Sequence, residues 1–402
     1  MSNNVKQFIN ENWDKCIKCN RNDNGTLIGL PYPYTVPAVG HFDEMYYWDT
    51  YFTNKGLIID KKAELAKYNV DNMLYLVKKY GFMPNGNRTY YLNRSQPPFL
   101  SEMVKDVYEF YHDPVWLSSA YNTLKKEYSF WQTKRCSKLG LNYYDADIQD
   151  NDSCLSSAKL FIKRTGFSPD MDYLKLGRHC LSTCESGWDI NPRWDCEGYN
   201  FAPVDLNSLM FMLESNMSYF AEELKCGEEN IWQERADKRR NLMLEYMDSG
   251  NGLLLDYNFV TNRRSSIMSA ASFYPLFAGL ADKRNAQAVV ENIDRLEAEF
   301  GILTCEKNDK CGIYQWNYPN GWACLQYIAV AGLERYGYHN DAKRIACKYV
   351  NLVEKIFEET GNLWEKYNVV SGSLDVNSEY GTPPMMGWSA GVYLAALEYA
   401  DK

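Results

Sequence analysis

Several features are scarce in this sequence of 402 residues, and each scarcity excludes a class of protein. The Cys16–Cys19 pair has zinc-knuckle spacing, but no second pair follows at matching spacing and the chain has four histidines. The most apolar run, residues 267–280, is too short to span a bilayer. Acids and bases are interspersed at a net charge of -9, without the basic stripe that nucleic acid requires. The sequence therefore predicts no metal site, membrane span or nucleic-acid interface.

Signs of secretion are also missing, although the chain has twelve cysteines. The N-terminal segment Met1–Phe8 has no apolar core of a signal peptide. We therefore interpret the cysteines as free, mostly buried thiols in a reducing compartment, and we expect a cytoplasmic protein.

Helical periodicity is present from end to end. Apolar residues recur on one face of residues 61–80 and stop at Gly81, and Asp113 caps a helix that begins at Pro114. Similar patterns cover residues 205–225, 229–247, 266–281, 284–299, 321–336, 340–358 and 388–401. Strand patterns are few and short, near Leu253–Asn258 and Ile313–Trp316.

This pattern predicts an all-α fold in which antiparallel helical hairpins close into a toroid, with its loops gathered at one end. An open helical solenoid would be similar, but no fixed repeat length favours it. No linker divides the chain, so we predict one domain over residues 1–402, with residues 1–35 as an N-terminal helix and lead-in segment.

Five inter-helix segments combine Trp or Tyr with polar and charged residues. They are residues 42–52, 84–98, 185–194, 315–326 and 364–388. Connecting loops do not need large aromatic side chains, so five such loops indicate a shared polar and aromatic cavity. The segment 185–194 combines two acids and an arginine with two tryptophans, a combination typical of a sugar-binding pocket.

The same segments resemble the trehalase family of glycoside hydrolases, in family order. The matching motifs are YYWDTYF at 46–52, PNGNRTYYLNRSQPP at 84–98, ESGWDINPRW at 185–194, VDLN at 204–207, QWNYPNGW at 315–322, EKY at 365–367, EY at 379–380 and GW at 387–388. The resemblance implies an (α/α)6 toroid, six helical hairpins in a ring.

The resemblance also implies an inverting hydrolase of a small α-linked glycoside, and α,α-trehalose is the substrate we expect. Asp189 matches the family's general acid and Glu365 its general base. In an inverting enzyme the two carboxyl groups stand about 6.5–9.5 Å apart, which leaves room for water. An apolar wall from Trp188 and Ile190 would keep Asp189 protonated, and Lys366 would keep Glu365 ionised if it points inward.

The predicted substrate-binding residues come from the same motifs. Roles in sugar contact carry over to Trp48, Asp49, Asn85, Arg94, Ser95, Gln96, Gly187 and Glu379, and the set is completed by His41, Trp316, Trp322 and Trp388. The chemistry requires no cofactor and no metal, and the predicted partner is a small disaccharide or related glycoside.

Some positions depart from the family pattern. His41 stands where the family has an arginine, and a second family arginine has no counterpart in residues 144–157. Asn317 replaces an aspartate, and the lid segment 371–378 has lost most of its glycines. These changes affect sugar recognition rather than the acid and base. Glucosylglycerate or mannosylglycerate is therefore an alternative substrate, and a non-catalytic sugar-binding protein is a second alternative.

Overall fold

The structure is a computed structural model and describes residues 2–148 and 150–402. In these residues the chain forms fourteen α-helices. They are α1 (Ser2–Asn12), α2 (Tyr47–Ile59), α3 (Ala63–Tyr80), α4 (Leu100–Tyr111), α5 (Pro114–Lys134), α6 (Asn151–Thr165), α7 (Tyr173–Cys184), α8 (Val204–Glu223), α9 (Glu229–Met247), α10 (Tyr274–Phe277), α11 (Lys283–Glu291), α12 (Ala323–Arg335), α13 (His339–Thr360) and α14 (Gly387–Ala400).

The described residues also contain nine short strands, which form three two-stranded sheets and one three-stranded antiparallel sheet between the loops. They are β1 (Ile17–Lys18), β2 (Tyr34–Thr35), β3 (Phe201–Ala202), β4 (Tyr257–Asn258), β5 (Arg263–Arg264), β6 (Glu297–Ala298), β7 (Gly301–Ile302), β8 (Asn320–Trp322) and β9 (Lys366–Asn368). Strand β1 pairs with β2, β4 with both β3 and β5, β6 with β7, and β8 with β9.

Six helices form the inner ring of the fold: α2, α4, α8, α10, α12 and α14. Each packs on the next, and α14 packs against α2 to close the ring. Helices α3, α5, α9 and α13 pack on the outside of their inner partners. The all-α toroid predicted from the sequence is confirmed.

Burial explains which helices lie inside. Helices α2, α12 and α14 are buried around most of their circumference, whereas α3 and α13 bury one face and expose charged residues on the other. The ring closes through Gly56 of α2 and Gly391 of α14, where a Cβ atom on Gly56 would lie 2.5 Å from the Gly391 Cα atom. A larger side chain at either position would separate the two helices.

Local sequence features correctly predicted several helix ends. The Asp113 carboxylate accepts hydrogen bonds from the backbone N–H groups of Val115 (2.9 Å) and Trp116 (3.0 Å), which begins α5 as predicted. Helix α3 ends at Gly81, and α9 spans the predicted residues 229–247.

Two helix predictions were too long, and one strand prediction was wrong. Residues 266–281 form a 3₁₀ turn (Ala270–Phe273) followed by the four-residue helix α10. Helix α11 ends at Glu291, and the chain continues as a 3₁₀ turn and β6. Ile313–Trp316 forms bends rather than a strand, and within Leu253–Asn258 only Tyr257–Asn258 is paired as a strand.

Helices α6 and α7 form a hairpin that packs beside the ring rather than in it. A small hydrophobic core, separate from the main core of the ring, forms between the hairpin and two loop residues outside it. This core consists of Ala158, Phe161, Leu176, Ile190 and Tyr314. The hairpin is fixed to the ring loops by a hydrogen bond from the Ile313 N–H to the Thr165 carbonyl oxygen (2.8 Å).

All twelve cysteines are free thiols, as predicted. The expectation that most are buried was wrong, because four are buried and three, Cys19, Cys226 and Cys311, are exposed. Over residues 2–148 and 150–402, no helix is long and apolar enough to cross a bilayer.

Candidate active site

A cavity of about 270 Å³ opens at one end of the ring, where the inner helices begin. Trp48 and Asp49 reach it from the first turn of α2, Gln96 from just before α4, Trp322 from just before α12 and Trp388 from the start of α14. Because these helices start at the same end of the ring, the loops that precede them meet there. The shared cavity predicted from the aromatic loops is therefore present.

Four buried indoles form the apolar wall of the cavity. Trp316 and Trp322 stack in parallel with ring centroids 3.8 Å apart. Trp48 lies 5.6 Å from Trp316, and Trp388 makes edge contacts with both Trp48 and Trp322 at 5.7 and 5.8 Å. Flat indole surfaces beside hydrogen-bonding groups suit the apolar faces and the hydroxyls of a sugar.

Position 187 requires glycine, because its loop comes very close to this indole wall. Its φ of +73° lies in the left-handed region, and a Cβ atom there would lie 2.7 Å from carbon atoms of the Trp48 indole. Only glycine accepts both conditions without strain. The contact fixes the position of Asp189, two residues further along.

Asp189 lines the cavity, and burial raises the pKa of its carboxyl group to about 6. The cations of Arg94 and Arg164 oppose this shift, and the charge of Glu365 adds to it. Trp188 does not form the expected apolar wall of the cavity, because its indole stacks against Trp316 (ring centroids 5.4 Å apart) and does not line the cavity. A carboxyl group with this pKa can hold a proton close to neutral pH.

Glu365 lines the same cavity and is held by two side chains. Lys366 Nζ lies 2.5 Å from Glu365 Oε2, and the Tyr380 hydroxyl donates a hydrogen bond to Glu365 Oε1 (2.7 Å). The strand pair β8–β9 places these groups, since Lys366 pairs with Trp322 in its register. The lysine therefore points inward, and the carboxylate has a cationic partner in a buried site.

Two further carboxyl groups surround the proposed pair. Burial, with smaller contributions from Glu365 and Asp189, raises the pKa of Asp49 to about 8. Burial and the charge of Asp189 raise the pKa of Glu379 to about 8, against the opposing cations of Arg164 and Lys366. Perturbed acids gathered in one cleft are characteristic of catalytic sites.

The other charged side chains of segment 185–194, Glu185 and Arg193, hold the surrounding structure together. Glu185 accepts hydrogen bonds from Arg135 Nε (2.9 Å) and from the Ser95 and Asp145 backbone N–H groups (2.7 Å each). The Arg193 guanidinium lies between two indoles and binds Asp256 and Asp205, with contacts of 2.7–3.0 Å. The composition of this segment suggested that its arginine belongs to a sugar-binding pocket, but the Arg193 side chain is fully buried and does not line the cavity.

The segment 84–98 supplies polar groups that are held before any ligand is present. Gln96 Oε1 accepts a hydrogen bond from the Trp48 backbone N–H (3.2 Å), and Asn85 Nδ2 donates to the Ser95 carbonyl oxygen (3.4 Å). The Arg94 guanidinium lies over the Tyr91 ring at 5.0 Å and donates to Asn93 Oδ1 (3.0 Å). Fixed side chains of this kind lose little entropy when they bind a sugar.

The structure brings eleven of the fourteen predicted site residues to the cavity. These are Trp48, Asp49, Asn85, Arg94, Gln96, Gly187, Asp189, Trp316, Trp322, Glu365 and Trp388. Ser95 is buried beneath the cavity, with its hydroxyl bonded to the Met83 carbonyl oxygen (2.6 Å). His41 lies on an exposed turn, and Glu379 does not line the cavity but is buried in an ion pair with Arg164 (2.8 Å), which does.

Sequence reasoning missed eight residues that line the cavity. They are Phe42, Tyr46, Tyr91, Arg164, Cys184, Gln315, Tyr380 and Met385. Six of them belong to the aromatic loops already identified, so the loop composition was the available signal. Cys184 ends α7 directly before the segment 185–194, whereas Arg164 lies on α6, where nothing in the local sequence indicates a site.

Comparison with known proteins gives consistent matches over the whole chain. A family model described as Trehalase matches residues 2–401. A periplasmic trehalase of Xanthomonas campestris pv. campestris is 32% identical over 426 residues, covering 98% of this chain and 73% of that protein. A periplasmic trehalase of Pseudomonas aeruginosa is 33% identical over 404 residues, covering 93% and 72%.

Solved structures agree with these sequence matches. The neutral trehalase of Saccharomyces cerevisiae superposes with a TM-score of 0.79 at 28% identity, covering 98% of this chain and 79% of that one. A mannosylglycerate hydrolase of Thermus thermophilus superposes with a TM-score of 0.68 at 16% identity, covering 97% and 99%, which shows a shared fold.

The names of the bacterial relatives correct one expectation. We expected a cytoplasmic protein because the thiols are free and the N-terminus lacks an apolar core. The relatives from Xanthomonas and Pseudomonas are named periplasmic trehalases, which points to the periplasm instead.

Proposed function

Because the chain belongs to the trehalase family, we propose that it hydrolyses α,α-trehalose to two glucose molecules with inversion at the attacked carbon. The observation that carries this proposal is the meeting of Asp189 and Glu365, from segments 176 residues apart, in one indole-walled cavity. Such a pair can serve the two faces of a glycosidic bond.

Asp189 acts as the general acid in this proposal. Burial raises the pKa of its carboxyl group to about 6, so a substantial fraction holds a proton in weakly acidic solution. The acid gives this proton to the glycosidic oxygen as the bond to the anomeric carbon breaks. The first glucose then leaves with its new hydroxyl group.

Glu365 acts as the general base. Lys366 and Tyr380 occupy one direction on each carboxylate oxygen, and each oxygen keeps a further lone pair for water. Water attacks the anomeric carbon from the face opposite the leaving sugar and gives a proton to Glu365. The second glucose is released as the β-anomer.

Sugar binding is assigned to the surrounding groups. The indoles of Trp316, Trp322 and Trp388 cover the apolar faces of the sugar, and Asp49, Asn85, Arg94 and Gln96 bind its hydroxyls. Because burial keeps Asp49 largely protonated, its carboxyl group can donate a hydrogen bond as well as accept one.

The test is proton NMR of the purified protein with trehalose, alongside glucosylglycerate and mannosylglycerate. We expect trehalose to give α- and β-glucose in equal amounts at first, because the attacked sugar is inverted and the leaving sugar keeps its α configuration; mutarotation then follows. Initial formation of α-glucose alone would contradict inversion, and exclusive turnover of a glycerate compound would contradict the substrate.

The catalytic roles are tested by Asp189→Asn and Glu365→Gln. Both changes preserve side-chain volume, so we expect folded proteins with at least about 1,000-fold less turnover. Glu109→Gln, on the exposed end of α4, is the matched control and should have wild-type activity. Wild-type turnover in Glu365→Gln would assign the base to another residue, with Glu379 as the next candidate.

A further inference from the structure

A second cavity, of about 230 Å³, lies between the N-terminal segment and the loop that precedes α14, and we call it the N-terminal groove. Phe8 of α1 and Cys16 line it from one side, and Leu363 and Met386 line it from the other. An apolar protein cavity of about 150 Å³ is large enough to hold benzene. The N-terminal groove can therefore hold a small molecule with an apolar body.

One cation belongs to the lining of the N-terminal groove. Apart from Asn12, Asn362 and Lys15, the described residues of the lining are apolar, and none is acidic. The exposed Lys15 donates a hydrogen bond from Nζ to Asn12 Oδ1 (2.7 Å). It forms no ion pair with a described carboxylate, and the adjacent Asp14 is paired with Lys62 instead. Because an ammonium group has three donors, two remain for an anionic ligand.

Met385 separates the N-terminal groove from the active-site cavity, because it lines both. Its backbone N–H donates to the Leu363 carbonyl oxygen (2.9 Å), and the Glu365 N–H donates to the Pro383 carbonyl oxygen (3.2 Å). These bonds connect the wall of the groove to the segment that carries the proposed base. Since a methionine side chain is flexible, a ligand on either side of Met385 pushes it toward the other cavity.

We infer that the N-terminal groove binds a small amphiphilic carboxylate, and that its occupation weakens sugar binding across Met385. The apolar body of the ligand packs against Phe8 and Leu363, and its carboxylate accepts hydrogen bonds from Lys15. An amine would find no ionic partner in the described lining. The part of the inference that concerns sugar binding rests on the proposed function, whereas the part that concerns the carboxylate does not.

The charge requirement is tested by isothermal titration calorimetry with octanoate, below the concentration at which it forms micelles, and with octanol as its uncharged counterpart. Lys15→Met keeps the apolar stem and removes the ammonium group. It should weaken octanoate binding by about three- to fivefold, the effect of an exposed ion pair, and leave octanol binding unchanged. Lys6→Met is the matched control, because Lys6 is exposed on α1 and does not line the groove.

The location is tested by NMR of protein labelled with carbon-13 at the methionine methyl groups. Octanoate should shift the signals of Met385 and Met386, whereas glucose should shift Met385 alone, because Met386 lines only the groove. Met73 is the internal control, since it is buried in α3 and lines neither cavity. Met385→Leu and Met386→Leu assign the signals.

The coupling is tested by measuring glucose affinity with and without saturating octanoate. Octanoate should weaken glucose binding by at least about fivefold, and glucose should weaken octanoate binding by the same factor. Met385→Ala should remove this coupling, because the shortened side chain no longer transmits the displacement.

Several results would overturn the inference: no binding of octanoate, an affinity for octanoate that does not depend on Lys15, an unmoved Met386 signal, or independent affinities for octanoate and glucose. A dimer that Val39→Glu converts to a monomer in sedimentation would show that a second copy of the chain fills the groove instead, since the half-exposed Val39 lines it. Trehalose turnover without octanoate tests the proposed function separately.

Discussion

The close contact between Gly187 and Trp48 permits a sharp test of how precisely the site is built. Gly187→Ala adds a single methyl group at a backbone φ of +73°. The new Cβ atom would lie 2.7 Å from the Trp48 indole, whereas ordinary van der Waals contact begins at 3.4 Å. The indole and the loop must therefore separate by about 0.7 Å.

The indole has little room to retreat, because Trp316 and Trp388 pack against it at 5.6 and 5.7 Å. We therefore expect segment 185–194 to move and to carry Asp189 with it. A displacement approaching 1 Å costs about 10–100-fold in rate when geometry controls the chemistry. Left-handed strain of about 1–2 kcal/mol and overpacking of about 1–3 kcal/mol should also lower the free energy of unfolding.

The assay combines kcat/KM on trehalose with urea unfolding followed by circular dichroism. Gly81→Ala is the matched control, since Gly81 has a φ of +85° with no atom within 4 Å of a new Cβ. It should cost about 1–2 kcal/mol of stability and leave activity unchanged. If Gly187→Ala retained more than a third of wild-type kcat/KM, the contact with Trp48 would not position the acid.

Two further predictions concern pH. Because burial raises the pKa of Asp189 to about 6, kcat/KM on trehalose should decline above about pH 6. Arg94→Met removes a cation that opposes this shift, so it should move the decline upward by about one pH unit. If the decline stayed at the same pH, a group other than Asp189 would be responsible for it. Burial raises the pKa of Asp49 to about 8, so its contribution to stability is complete below the unfolded value near 4 and is lost as pH rises through 8. Asp49→Asn should therefore gain in urea midpoint over the wild type between pH 4 and pH 8, and a difference independent of pH would contradict the shift.

The parts of the fold that the sequence predicted are those fixed by local chemistry. Asp113 caps α5 through contacts with the next few residues, and Gly81 ends α3 within one turn. Residues 266–281 were different, because an apolar run with helical spacing was shaped by packing inside the ring. There Pro275 begins a helix of four residues only.

The meeting of Asp189 and Glu365, the proposed catalytic pair, and the indole walls were predictable because these residues belong to motifs with distinctive composition. Arg164 was not, because its place in the cavity depends on how the α6–α7 hairpin leans against the ring. Tertiary packing of this kind leaves no periodic signal in the sequence. The structural role of Arg193 was hidden for the same reason, since its partner Asp256 lies 63 residues away.

The separate small core of the α6–α7 hairpin divides the protein into parts of unequal resistance to opening. Pulling the hairpin away exposes the five residues of that core, whereas opening the ring exposes the main core. Local opening with little apolar exposure has a lower free energy than global unfolding, so we expect backbone amides in α6 to exchange with solvent through an opening that leaves α2 and α8 protected. Because Arg164 of this hairpin lines the cavity, part of the site lies on an element that can open while the ring stays folded.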